Sequence, residues 1–316
     1  MKNLSIVLLT ILAAGALVAF YPAEEKKGFL EEYTSYMKKF NKRIQNPEEL
    51  FYRASLFKTY VEKMIKHNAD NTKTWKMGIN QFSDWTDDEF VALSLGELST
   101  DLPSIPEEEV NAGFRGAVDW RNTGIITPIK NQGQCGSCWA FASTAAHESY
   151  QIQHKNQPKT IVLSEQQLVD CAHDSPYDNN GCNGGYAARA LEYIKDFGQT
   201  TNASYPYQAV TGSCKTKTGV YRTYGVSQVA GCSEIEVEIQ KRPLAVRVDA
   251  SNWKSYASGI FNNCGNDINH AVFMVGSGQD SWIIKNSWST SWGEQGYIRL
   301  AKGNTCSVCQ GPSFPI

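Results

Sequence analysis

The chain has 316 residues, enough for one large domain or two ordinary ones. Hydrophobic residues make up 41% and charged residues 20%, the balance of a globular protein rather than a disordered or fibrous one. A formal net charge of -2 and the lack of any long basic run remove the electrostatic case for nucleic acid as a partner.

Met1–Lys2–Asn3 leads into an apolar run over residues 4–18 that ends in small residues. It is too short and too weakly flanked to span a bilayer, and fits a secretory signal over residues 1–19. Ala14–Gly15–Ala16 suits the small-x-small cleavage rule, with Ala19 as a second candidate. No later segment reaches spanning length, so no membrane span is expected. All nine cysteines lie between Cys135 and Cys309. In an exported protein this odd count implies pairs plus one free thiol, and eight paired cysteines admit 105 connectivities.

From about residue 23 to 90 the chain is rich in Glu and Lys, with apolar residues at helical spacing. Phe29, Tyr33, Tyr36, Met37 and Phe40 form one stripe. Leu50, Ala54, Phe57, Val61, Met64 and Ile65 form another, on a helix that Asn46–Pro47 opens. Gly78–Ile79–Asn80–Gln81–Phe82 and a Ser83/Asp84 turn follow, then an acidic helix start at Thr86–Asp87–Asp88–Glu89. Residues 98–110 break the pattern with two prolines and three consecutive glutamates, the composition of an exposed, cleavable linker. The expected division is a propeptide over 20–112 and a mature chain over 113–316.

In the mature part, residues 138 to about 154 predict a helix, with Ala142, Ala145, Ala146 and Ser149 small enough to let it sit deep. Ser164–Glu165–Gln166–Gln167 opens a second helix, and residues 187–195 suit a third. After about Gly225 alternation takes over, as in Val246–Arg247–Val248, Val272–Phe273–Met274 and Trp282–Ile283–Ile284. This is an α+β arrangement, a helical half over about 113–225 and a strand-rich half over about 226–316.

A catalytic cysteine must be a thiolate, which a helix N-terminus and a nearby imidazolium both favour. Cys138 stands where Gly133, Gly136 and Ser137 give way to a helix, and those glycines let backbone approach closely. Of the five histidines, His67 lies in the segment expected to be removed. His147 is about half a turn out of phase with Cys138, and His154 is roughly 24 Å along the same helix. His173 sits in a polar stretch. His270 begins the apolar strand 271–275, where a side chain is both held and exposed. A hairpin centred on Gly278 sets residue 270 opposite Asn286, whose amide can fix the imidazole tautomer. A surface His beside an edge Asn fits the same spacing.

Gln132–Gly133–Gln134–Cys135–Gly136–Ser137–Cys138–Trp139–Ala140–Phe141 closely resembles the active-cysteine segment of papain and cathepsin L. In that family His and Asn follow some 130–150 residues later; here they follow at 132 and 148. The resemblance extends over Val118–Asp119–Trp120–Arg121, Cys182–Asn183–Gly184–Gly185, Asn269–His270–Ala271–Val272, Asn286–Ser287–Trp288 and Trp292–Gly293. It implies a papain-like two-lobed fold, a helical left lobe and a β-barrel-like right lobe, with the cleft between them. By position, Cys138 attacks the peptide carbonyl, His270 exchanges its proton, Asn286 orients His270 and Trp288 shields that pair. Gln132 and the Cys138 N–H form the oxyanion hole. Gly184 and Gly185 offer backbone to a substrate strand. No cofactor or metal is implied; the partners are protein or peptide substrates, acted on by a monomer.

Gly78–Ile79–Asn80–Gln81–Phe82–Ser83–Asp84, with Glu49, Arg53, Phe57 and Asn68 before it, resembles the cathepsin L type of propeptide. The resemblance implies a helical segment that blocks the cleft in reverse direction. It departs at Tyr60, where Asn is usual, and Met64, where Ile is usual. The resemblance also implies disulfides Cys135–Cys182, Cys171–Cys214 and Cys264–Cys306; Cys232 and Cys309 remain and are expected to form an extra bridge. Cys264–Cys309 with Cys232–Cys306 is the alternative. The pocket for the residue two before the cut is implied to be lined by Tyr186, Ala187, Arg247, Asn269, Ala271 and Gly311. Gly311 leaves it open and without an acid. Arg247 stands where a small or apolar residue is usual: facing in, it favours polar or acidic groups; snorkelling out, it leaves an apolar pocket. The outward orientation is preferred because unpaired buried Arg is rare.

Asn202–Ala203–Ser204 is a glycosylation sequon. The expected location is the secretory pathway, ending in a lysosome or acidic vacuole or outside the cell. Three other classes compete. Cys135–Gly–Ser–Cys138 has the spacing of a dithiol oxidoreductase, which leaves His270, Asn286 and the propeptide unexplained. Pairing it with Cys306–Ser–Val–Cys309 gives a zinc site across a 167-residue gap. An inactive relative that only binds peptides would keep the fold, but Gln132, Cys138, His270 and Asn286 are all present.

Overall fold

The computed structural model describes residues 23–94, 96 and 114–316. The expected signal and the 98–110 linker lie outside the described residues. Two helices begin the chain, α1 (Ala23–Lys39) and α2 (Pro47–Ala69). Asn46 caps α2 by accepting from the Glu48 N–H at 2.8 Å, and Pro47, which has no N–H to lose, takes the first position. The two stripes meet: Tyr33, Tyr36, Ala54 and Phe57 are buried together, with the Tyr36 and Phe57 rings 4.5 Å apart. Ile65 is a correction, since it is 61% exposed. It lies one residue, about 100° of helical turn, past Met64, which faces the interior.

Asp84 ties this helical pair to the following turn. Its carboxylate accepts from Tyr33 Oη at 2.9 Å and Tyr36 Oη at 3.1 Å and pairs with Lys42. Arg53 grips Glu89 through both terminal guanidinium nitrogens at 2.6 Å. Thr86 and Glu89 form a reciprocal capping box, at 2.9 and 3.1 Å, that opens α3 (Asp87–Ser94). Between α2 and α3 a short strand, β1 (Trp75–Met77), is clamped by Asn68, whose amide makes both backbone hydrogen bonds to Met77 at 2.9 Å.

The rest of the chain packs around α4 (Cys138–Lys155), whose residues from Cys138 to Ile152 are all buried. Small side chains allow that depth. Next come α5 (Glu165–Cys171), opened by Ser164 Oγ accepting from Gln167 N–H at 3.0 Å, and α6 (Ala187–Phe197). The strands are β2 (Val118–Asp119), β3 (Val226–Gln228), β4 (Leu244–Val248), β5 (Tyr256–Phe261), β6 (His270–Ser277), β7 (Ser281–Lys285), β8 (Tyr297–Ala301) and β9 (Ser313–Pro315). A short helix, α7 (Cys232–Glu238), interrupts the strand-rich half. The hydrogen-bonded path β1-β5-β8-β7-β6-β4-β9-β3 is open and does not close into a barrel. β2 crosses from the helical half to pair with β6.

Alternation on β4 and β6 separates two cores. Leu244, Val246, Val248, Val272 and Met274 face the interior of the strand-rich lobe. Ala245, Ala271, Phe273 and Val275 pack with Cys138, Ala142 and Ala145 of α4. The register of the β6–β7 hairpin corrects the sequence expectation. Ser277 pairs with Trp282 and Gly276 with Ile283, but a bulge shifts the next pairs to Met274–Ile284 and Phe273–Lys285. Counting on, position 270 lies opposite 288 rather than 286. The offset arises at the turn, which is centred between Gln279 and Asp280 rather than on Gly278; the bulge moves the pairing back by one residue.

Four disulfides form: Cys135–Cys182, Cys171–Cys214, Cys264–Cys306 and Cys232–Cys309. Among the described residues Cys138 is the free cysteine. Cys135, Cys306 and Cys309 are thus all engaged, which excludes the dithiol and zinc alternatives.

Candidate active site

Cys138 is the first residue of α4 and is fully buried. Ser137, at the cap, makes no side-chain capping bond, so the helix N-terminus is not neutralised by its own cap. Ser137 Oγ instead meets Tyr207 Oη at 2.6 Å, and Tyr207 Oη also contacts the Gln132 carbonyl at 2.8 Å. The Gln132 amide donates to the Cys135 carbonyl at 2.9 Å and accepts from Ser287 Oγ at 2.7 Å. The Gln132 backbone N–H donates to the Ser287 carbonyl at 2.9 Å, so the loop before Cys138 is stitched to the segment after β7.

From the other lobe, His270 Nε2 lies 2.8 Å from Asn286 Oδ1. The same Oδ1 accepts the Ser287 backbone N–H at 2.8 Å. A backbone N–H can only donate, so the atom facing it is the amide oxygen, and His270 must carry its proton on Nε2. Nδ1 is buried with no hydrogen-bond partner among the described residues. Trp288 stacks on the imidazole at 4.6 Å, and Trp253 meets it edge-on at 6.1 Å. Ala271, the next residue, packs in one cluster with Cys138. Burial in this aromatic box pulls the His270 pKa down to about 4, against the opposing effect of its hydrogen bond to Asn286.

Beneath the cleft, buried charges that the sequence reading did not single out join the lobes. Lys285 Nζ donates to the Thr127 carbonyl at 2.8 Å, and Thr127 Oγ1 donates to Glu148 at 2.5 Å. Lys130 reaches Glu148 at 2.7 Å and Glu165 at 2.5 Å. Lys285 precedes Asn286, so this set fixes where the amide stands.

The remaining expected site residues fall as follows. A Cβ on Gly185 would come within 2.7 Å of the Trp139 ring, so only glycine fits there. Gly184 closes the turn before it. Ala187 is buried at the start of α6, and Tyr186 stacks on Arg189 at 4.3 Å. Asn269 is held by its side chain to Ala250 N at 2.9 Å and Ser251 Oγ at 2.7 Å. Gly311 is half-buried. Arg247 is 9% exposed, so the outward orientation is not the one adopted.

The N-terminal segment covers all of this. β1 pairs antiparallel with β5, extending the sheet by one strand. Phe82 and Phe90 meet the Trp288 ring edge-on at 5.6 and 5.2 Å, and Gln81 Nε2 donates to the Trp288 carbonyl at 2.6 Å. Asp87 pairs with Lys254 across the contact. Gly96 then enters the cleft: its N–H donates to the Asn269 carbonyl at 3.0 Å and its carbonyl accepts from Gly185 N–H at 2.9 Å. Gly96 was missed in the sequence, where a lone glycine after a helix passes as a terminator.

Comparison with known proteins agrees with this arrangement. Residues 115–316 match the papain family of cysteine proteases, and residues 33–90 match the cathepsin propeptide inhibitor domain. Cathepsin L 2 of Paramecium tetraurelia is 40% identical over 294 residues, covering 90% of this chain and 91% of that protein. A cathepsin L-like proteinase of Fasciola hepatica is 40% identical over 299 residues, covering 88% and 90%. The solved structure of digestive procathepsin L 3 from Tenebrio molitor larval midgut superposes with a TM-score of 0.80 at 33% identity, covering 91% of this chain and 98% of that one. The chain belongs to the papain family of cysteine proteases. It is a cathepsin L-like cysteine endopeptidase in its inhibited precursor form.

Proposed function

We propose that the peptide bond is cut by Cys138, His270 and Asn286. The Cys138 thiol passes its proton to His270 Nδ1 and attacks the substrate carbonyl carbon. His270 returns that proton to the leaving amine as the C–N bond breaks, and water then hydrolyses the thioester. Gln132 Nε2 and the Cys138 N–H donate to the oxyanion formed at each step. Trp288 excludes water from the His270–Asn286 pair. The observation that carries this reading is the double acceptance at Asn286 Oδ1, which leaves Nδ1 as the basic nitrogen.

Asn286→Ala frees the imidazole to rotate and change tautomer. The expected result is a fall in kcat on the order of a hundredfold with KM little changed. Equal kcat/KM in the variant and the wild type, over a full pH profile, would contradict the assignment.

The precursor spans a signal over 1–19, a propeptide over 20–112 and a mature chain over 113–316 in this reading, released as a monomer. Four disulfides support passage through an oxidising compartment; the secretory pathway leads on to a lysosome, an acidic vacuole or the exterior. Asn202, half-buried at a turn whose next two residues are exposed, is the candidate for an attached sugar.

Acid opens the precursor in this account. With the cleft closed, burial holds His270 near 4, whereas a rehydrated ring titrates near its ordinary 6.5 or so. Protons therefore bind the open form more tightly, and opening gains from about pH 6.5 downward, by at most about 3 kcal/mol near pH 4. Burial acts to raise Glu89 and Asp87, but the hydrogen bonds from Arg53 and Lys254 outweigh it and hold both carboxyls below their ordinary values. The contribution of Asp87 to closure, and that of Glu89 to the fold of the N-terminal segment, are present above the ordinary carboxylate range and are lost as pH falls through the depressed values. Processing of the purified precursor should accelerate steadily from pH 7 to 4; equal rates at pH 7 and pH 4.5 would refute the switch.

A further inference from the structure

One hydroxyl holds both ends of the loop that leads into Cys138. The loop runs from Gln132 to Ser137 and is soft in itself, with Gly133 in the left-handed region at φ 64°. Its middle is tied down by the Cys135–Cys182 bridge and by the Gly136 N–H, which donates to the Cys182 carbonyl at 2.9 Å. Its two ends meet at Tyr207. The Gln132 carbonyl lies 2.8 Å from Tyr207 Oη, and Ser137 Oγ lies 2.6 Å from the same atom. A phenol has one proton, and a carbonyl can only accept. Tyr207 therefore donates to Gln132, and Ser137 donates to Tyr207.

That commitment overrides a local preference. A serine at a helix start ordinarily caps it, by accepting from a backbone N–H of the first turn. Ser137 stands at that position and makes no such bond. The Cys135 carbonyl, at 3.5 Å, is a weaker acceptor for its proton than Tyr207. A broken local rule of this kind marks a place shaped for function. Tyr207 is itself held in place. Its ring meets Phe141 edge-on at 4.9 Å, one turn along α4 from Cys138. Burial pushes its ionisation well above the ordinary phenol range, so the hydroxyl keeps its proton at every working pH.

We infer that Tyr207 is a positioning residue of the oxyanion hole, fixing through one hydroxyl the spacing between its two donors, the Gln132 amide and the Cys138 N–H. This rests on the catalytic reading above and extends it to a residue that acts through Gln132 and Ser137. Donors to a developing oxyanion are effective because they are held before the charge appears. Loss of the hydroxyl frees the Gln132 end of the loop and lets Ser137 turn to the start of α4. The thiol and His270 keep their contacts, so the effect falls on the transition state rather than on substrate binding.

The test uses acid-processed enzyme, counted by titration with a thiol-directed epoxide. Tyr207→Phe keeps the ring against Phe141 and removes the hydroxyl. Its kcat should fall about tenfold with KM unchanged. A peptide aldehyde bonds its carbonyl carbon to the Cys138 sulfur, the thiol proton passing to the carbonyl oxygen, which then sits where the oxyanion forms. Its inhibition constant should rise about tenfold in step. Iodoacetamide alkylates the thiolate at a saturated carbon and forms no oxyanion, so its rate at Cys138 should stay as in the wild type. Ser137→Ala alone should lower kcat about threefold. Added to Tyr207→Phe it should lower kcat no further, because both act through one contact. Wild-type kcat and aldehyde affinity in Tyr207→Phe overturn the inference alone, as do equal falls in hydrolysis and alkylation. A Ser137→Ala enzyme with unaltered kcat and aldehyde affinity overturns it even if Tyr207→Phe does not fold. No hydrolysis and no epoxide uptake by the wild type overturn the catalytic reading with it.

Discussion

Cys138→Ser in the full-length precursor should lose peptide hydrolysis by about a millionfold in kcat while folding as the wild type does. The argument is local. A serine hydroxyl does not ionise near neutral pH, and its neighbours cannot make it do so. The α4 N-terminus supplies a partial charge only, and His270 is a weak base in this box, with a pKa pulled to about 4 by burial. A thiol differs, because it gives up its proton far more readily than a hydroxyl and is the better nucleophile. Folding is spared on two counts. Cys138 takes part in none of the four disulfides, so oxidative pairing is undisturbed. Oxygen for sulfur nearly conserves volume among Trp139, Ala142 and their neighbours. Activity, intact mass and thermal melting measured together decide the matter. Residual activity within tenfold of wild type would remove Cys138 from the reaction.

The second large effect concerns inhibition. Gly96 is where the propeptide backbone crosses from one lobe to the other, bonded to Asn269 and Gly185. A Cβ built there falls 2.0 Å from the Gly136 carbonyl oxygen and 2.4 Å from the Gly136 Cα. Both obstacles are backbone, in the loop that leads into Cys138, so neither can swing aside. Overpacking of this kind costs about 1–3 kcal/mol. Gly96→Ala in the isolated propeptide should therefore raise its inhibition constant against mature enzyme about 10- to 100-fold, and the full precursor should process at a higher pH. Gly28→Ala is the control: that site has nothing within 4 Å, and inhibition should not change. Equal inhibition by the Gly96→Ala propeptide and the wild type would mean that the cleft is blocked elsewhere.

Local patterns carried much of this structure. The aromatic stripes at Tyr33, Tyr36 and Phe57, the Asn46–Pro47 start of α2 and the Thr86–Glu89 box are contacts within a few turns, and hydrophobic period and capping chemistry determine them. The helix starting at Cys138 follows from its run of small residues. Partners set by three-dimensional approach were not legible. His270 does meet Asn286, yet by a bulged register in which position 270 aligns with 288, so the simple hairpin count reached a true contact by a wrong path. Arg247 illustrates the opposite failure. Rarity of buried Arg pointed outward, whereas Arg247 is buried. Lys285, Thr127, Lys130, Glu148 and Glu165 are scattered over the sequence, and nothing in their spacing announces that they meet. The two-lobed α+β fold implied by the resemblance holds, and its barrel-like lobe is an open sheet that takes its edge strand, β1, from the propeptide.

The central claim is that one activated thiol does the chemistry and that the propeptide denies access to it. The direct measurement is epoxide labelling, read by peptide mass spectrometry, of the precursor at neutral pH and again after acid processing. A single adduct on Cys138 after processing, in a chain beginning near residue 112 with four disulfides intact, and none before it, is the predicted result. No adduct on a reduced, uncovered Cys138, or an adduct of equal yield in the intact precursor, would contradict the account.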